Sequence, residues 1–170
     1  MRKMKFVLIV LLAFLPMNKA FHAETEISNA RALFIYNFLS HIQWPEESLG
    51  TNFILGVIGN TTTYDYLLKY TEQRKIGKRG IEVKKYHSAN EVNNCQVLLV
   101  AQNKNNEMPS IKQKLNGKSC LIVGEKAGST KDGAVIDFNI INGRLRYRID
   151  ENNAKNHNLF IGSSLLQMSL

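Results

Sequence analysis

This chain has little proline, tryptophan or cysteine: 3, 1 and 2 residues among 170. So few prolines, with 44% apolar and 21% charged residues, fit an ordinary globular domain. The longest apolar run, Phe6 to Leu15, is about half of the roughly 20 residues a spanning helix needs. Neither cysteine lies near that run, which excludes lipid attachment at a new N-terminal cysteine. There is no Gly-x-Ser-x-Gly nucleophile elbow. His41, His87 and His157 lie far apart, without metal-ligand spacing. A phosphoacceptor receiver would need an aspartate ending its central strand, where Val100-Ala-Gln-Asn103 stands instead. An enzyme, a cofactor and a metal site are therefore not expected. No internal repeat, linker or low-complexity tract divides the chain.

What is present begins with Arg2, Lys3 and Lys5, then the short apolar run, then Pro16. That order reads as a secretory signal peptide over residues 1–23, cut after Ala20 or Ala23; a retained anchor is the alternative. Its loss removes Arg2, Lys3, Lys5 and Lys19 and leaves 18 cations against 14 acids, a charge of +4 where the whole chain has +8. Export makes nucleic acid an unexpected partner. Residues 24–170 then form one domain. Ile27, Ala30, Phe34 and Phe38 recur at helical spacing up to Trp44-Pro45. Phe53–Gly59, Cys95–Ala101 and Cys120–Gly124 are unbroken apolar runs, the mark of strands covered on both faces. Helices are expected at Thr61–Lys69 and Pro109–Leu115, and a weaker edge strand at Ile81–Tyr86. This alternation predicts an α/β fold: a single three-layer domain, its central sheet mostly parallel, with helices on both faces. Asn142-Gly143 between two strand-like segments predicts a C-terminal β-hairpin.

Three groups of residues stand out as candidate sites. Arg144, Arg146 and Arg148 alternate with Leu145, Tyr147 and Ile149, which puts three guanidiniums on one face of a strand. With Gly128 and Asp132 of the Gly124–Gly133 stretch, they are candidates to bind an anionic ligand or an acidic partner; a solvated strand face and a flexible loop are the plainer readings. That stretch follows a buried strand, where ligands gather in open α/β sheets, but contains no Gly-Lys-Ser/Thr triplet of a phosphate loop. Leu33, Tyr36 and Trp44 exceed the stripe needed to seat the first helix, and are candidates for an interface; cover by the terminal helix and the Leu165–Met168 tail of the same chain is the plainer reading. Cys95 and Cys120 each open a buried strand, so they are candidates for one disulfide, with two buried thiols as the alternative.

Taken in order, "ARALFIYNFLSHIQWP", "CQVLLVAQN", "GKSCLIVGEKAGSTKDGAVIDF", "GRLRYRID" and "IGSSLLQMSL" resemble the YfiR-like periplasmic proteins across essentially the whole of residues 24–170. The resemblance implies a single α/β domain, often dimeric. It implies a non-catalytic regulator that restrains an inner-membrane signalling protein, above all a diguanylate cyclase, from the periplasm, sometimes in answer to redox state. Cys95 matches the family's cysteine in its Cys-Gln strand, while no earlier cysteine is present to partner it. A periplasmic protein binding a small anionic ligand is the second reading.

Overall fold

The computed structural model describes residues 15–170, with side chains from residue 23. The expected signal peptide lies largely outside the described residues. Helix α1 (Leu15–Phe38) is already helical at its first described residue, upstream of Glu24-Thr-Glu26. Its buried stripe is Ser28, Arg31, Ala32, Ile35 and Phe38, continued by Leu39 in the turn that follows. This corrects the stripe through Ile27 and Ala30, which are only half-buried. Around Ser28 and Arg31 the covered side of α1 is polar, so apolar periodicity alone points to the wrong residues there.

After α1 come β1 (Ile42–Gln43), β2 (Phe53–Ile58), α2 (Thr63–Thr71), β3 (Lys75–Ile76), β4 (Arg79–Tyr86), β5 (Val97–Val100), α3 (Met108–Lys114) and β6 (Leu121–Gly124). The chain closes with α4 (Ser129–Asp132), β7 (Ile136–Ile141), β8 (Arg144–Ile149), α5 (Glu151–Asn156), β9 (Phe160–Ile161) and α6 (Ser163–Met168). Seven strands form one mostly parallel sheet in the order β3-β4-β2-β5-β6-β7-β8, antiparallel only at its two outer pairs. A second, two-stranded sheet joins β1 to β9.

Successive residues of the central strands enter two separate apolar clusters. Leu55, Val57, Val97, Leu99, Leu121 and Val123 join α1 and its aromatic residues, whereas Ile58, Leu98, Val100 and Ile122 join Met108, Ile111 and Leu115 of the α3 region. Because strand side chains alternate, both faces of the sheet carry apolar cover, which explains the unbroken runs in the sequence. The first cluster contains an aromatic group in which Phe34 and Phe38 pack against Phe138 and Tyr147, with centroids 5.0–6.3 Å apart.

Two connections decide where functional groups can gather. From β2 the chain passes through α2 to β4 on one side of β2, then crosses to β5 on the other. The carboxyl ends of β2 and β5 therefore flank a topological switch point, the usual ligand crevice of such sheets. At the far edge, Asn142 (φ 51°) and Gly143 (φ 71°) turn β7 directly into antiparallel β8. Positive φ at both positions suits the strand twist and favours Asn-Gly there.

Candidate functional site

At the switch point lies a cavity of about 560 Å³ lined by Glu24, Arg31, Asn60, Thr61, Thr62, Gln102, Asn103 and Glu125. Glu125 comes directly after β6 and is buried. Its Oε1 accepts from the hydroxyls of Thr61 (2.6 Å) and Thr63 (2.8 Å), and its Oε2 from the Gln102 amide (3.3 Å). The carboxylate thus ties the start of α2 to the loop after β5. Arg31 reaches this crevice from α1 and is also buried; its Nη1 donates to Glu24 Oε1 at 3.2 Å. Its Nε is the one buried side-chain polar atom without a partner among the described residues. Ser28 Oγ, 2.8 Å from Thr62 Oγ1, fixes α1 to the same end of the sheet. Sequence reasoning missed Arg31 and Glu125. Their signals were a cation in an apolar helix and the first acid after a buried strand, and only the strand order brings them together.

The opposite end of the sheet is organised by the Trp-Pro corner and the Cys-Gln strand. Gln96 is buried, and both the oxygen and the nitrogen of its side-chain amide are bonded: Oε1 accepts from Ile54 N at 2.7 Å and Nε2 donates to Ser48 O at 2.9 Å. Its carbonyl accepts the Trp44 indole N–H at 3.0 Å, and Trp44 meets Phe53 edge-on at 5.0 Å. Trp44 is therefore engaged inside its own chain. Beside this corner, Cys95 and Cys120 are buried free thiols with sulfurs 3.6 Å apart. Burial, then the Cys95 thiol beside it, pushes the Cys120 thiol well above its ordinary pKa. Cys95 and Gln96 also line a cavity of about 630 Å³, together with Pro45, Ser48, Asn94 and Lys118. A Gly-Lys-Ser triplet does occur here, at 117–119. It leads into β6 and not into a helix, and Lys112 stands where a phosphate loop has its first glycine.

The remaining candidates lie elsewhere. Arg144, Arg146 and Arg148 are exposed along β8, the edge of the sheet, and none makes an ion pair among the described residues. The Gly124–Gly133 stretch is packed: α4 buries Ser129 and Thr130, and Thr130 donates through both its amide (3.1 Å) and its hydroxyl (2.8 Å) to buried Asp137. Gly128 stands at φ 84° just before α4, which is its reason to be glycine. Asp132 is exposed and accepts from Asn105 Nδ2 at 3.3 Å. Leu33 is 45% exposed on α1, and half-buried Tyr36 lies under the Arg74 guanidinium at 6.0 Å. Among the described residues no helix is long and apolar enough to cross a membrane.

A family model of YfiR/HmsC-like proteins matches residues 28–169, nearly the whole described chain. The chain belongs to the YfiR/HmsC-like family. That membership points to a periplasmic regulator of c-di-GMP signalling. No curated protein matches the chain.

Proposed function

We propose that this protein is exported to the periplasm and restrains an inner-membrane signalling protein, above all a diguanylate cyclase, by binding it. The observation that carries the reading is the family match, which covers residues 28–169, from within α1 to just past α6. The sequence agrees with it: a basic start and a short apolar run suit export, and no catalytic motif is present. Such a regulator acts through its surface. Among its surface features are exposed Leu33 beside half-buried Tyr36 on α1, and the arginine row on β8. The arginines suit an acidic partner because guanidinium pairs bidentately with carboxylate. A homodimer through the α1 face belongs to the same reading, as does redox control through Cys95 and Cys120. Binding of a small anion by Arg144, Arg146 and Arg148 is the second reading, favoured by the absence of any ion pair to them among the described residues.

The test is capture from detergent-solubilised membranes of the native cell with the tagged protein as bait. A membrane protein carrying a cyclase domain should be retained. Arg146→Gln with Arg148→Gln, or Leu33→Ser with Tyr36→Ser, should weaken retention while the fold is kept, and whichever pair does so marks the contact face. Retention of no signalling protein by the wild-type chain would overturn the reading.

A further inference from the structure

The β7–β8 ribbon projects from the body of the sheet. Strand β6 pairs with β7 only at Val123↔Ile136 and Gly124↔Asp137, whereas β7 and β8 stay paired as far as Ile141↔Arg144. Beyond Asp137, no strand among the described residues pairs with the ribbon on its β6 side. On the outer side, the chain's end covers only its base, through Leu170 N to Tyr147 O (3.0 Å) and Ile149 N to Ser169 Oγ (2.9 Å). Phe138 and Tyr147 are buried against α1, so the base is firmly held. The far end is not covered: Ile140 is 53% exposed and Ile141 44%. Being consecutive in a strand, they point to opposite faces. Ile141 lies opposite Arg144, and Arg146 lies opposite Asn139 on the same face. The tip is therefore apolar on both faces and basic on one, with no acid paired to its arginines.

The same end of the domain receives the N-terminal chain. Ser28 meets Thr62 just beyond the carboxyl end of β2, and α1 descends from there to the Trp44 corner at the amino end of β5. Strand β7 runs parallel to β6, so Ile141 also points toward the carboxyl end. The helix that follows the apolar Phe6–Leu15 run enters the domain on the side from which the ribbon projects.

We propose that the ribbon tip docks on an anionic lipid bilayer, with Ile140 and Ile141 entering the headgroup layer and Arg144 and Arg146 meeting lipid phosphates. The shape of the surface separates this from a protein contact. A stable protein interface needs roughly 800 Å² from each partner, on a broad patch. A two-residue turn with one isoleucine per face is a narrow, protruding point, suited to shallow insertion of about 5–10 Å. Basic residues near an anionic surface add attraction that salt screens. The contact would hold the protein beside membrane partners without anchoring it. It rests on the exported location proposed above, but not on the identity of any partner.

The test is flotation of the protein, purified as the cell exports it, with vesicles of phosphatidylglycerol mixed into phosphatidylcholine and with vesicles of phosphatidylcholine alone. The protein should float with the anionic vesicles and be released by salt. Ile140→Ser with Ile141→Ser, and separately Arg144→Gln with Arg146→Gln, should each lower binding by roughly tenfold or more at unchanged melting temperature. An apolar leader left on the chain would bind both vesicle types and would not respond to these variants, so it cannot imitate the result. No binding to anionic vesicles, or equal binding by the isoleucine variant, overturns the proposal. So does a wild-type dimer that the isoleucine variant dissociates without any vesicle binding, which would make the tip a contact between copies. The vesicles contain no protein, so a negative result leaves the regulatory reading to its own test.

Discussion

Cys95 and Cys120 show how position sets the chemistry of a residue. Their sulfurs are 3.6 Å apart, and a disulfide needs about 2 Å. Burial and its neighbour keep the Cys120 thiol protonated, and exchange proceeds through thiolate, so a bridge here would form while the chain folds and then be slow to exchange. The redox control proposed above requires that bridge: alkylation of the protein under denaturing, non-reducing conditions should then find no free thiol, and reduction should lower stability by about 3–4 kcal/mol. Two labelled thiols per chain would remove the bridge and any redox control built on it. His157 is buried, with Nδ1 2.8 Å from the Lys118 carbonyl, so that nitrogen carries the proton. Burial lowers its pKa below the ordinary 6.5. The unfolded chain therefore binds the extra proton first: this contribution is present above about pH 6.5 and is lost as pH falls below it. Urea midpoints should drop between about pH 7 and about pH 5, and His157→Gln should flatten the drop. An unchanged slope in the variant would assign the acid sensitivity to other groups.

Among the elements, those set by local signals could be read from the sequence alone. Apolar runs marked β2, β5 and β6, and Asn142-Gly143 marked the turn between β7 and β8, because buried strands and tight turns are written in consecutive residues. The two-residue strands β1, β3 and β9 carry no such pattern and exist only through their partners. Pro109 foretold α3, but α4 is four residues long and forms because Gly124 lets it close: a Cβ at that position would stand 2.4 Å from the Ser129 side chain. The candidate groups followed the same division. The arginine row was visible as a period of two. The Arg31–Glu125 crevice was not, because its walls come from α1 and from the loops after β2, β5 and β6, and strand order is not a local property. Trp44 was conspicuous as a surplus aromatic, yet its hydrogen-bond partner is 52 residues away.

At the scale of the molecule, one YfiR/HmsC-like domain presents different surfaces at its two ends. One end holds the packed Trp44–Gln96 corner and the thiol pair; the other holds the Arg31–Glu125 crevice and the projecting ribbon. The membrane contact proposed for the ribbon would turn the second end to the bilayer, whereas the regulatory role needs only that the protein lower the output of its partner. The most direct measurement is intracellular c-di-GMP in cells without the protein. Its level should rise several-fold on deletion, return when the full chain is restored, and stay high when the chain is restored without residues 1–23, the expected signal peptide. A level that is unchanged or lower on deletion, or that is rescued equally by the unexported chain, would contradict the account.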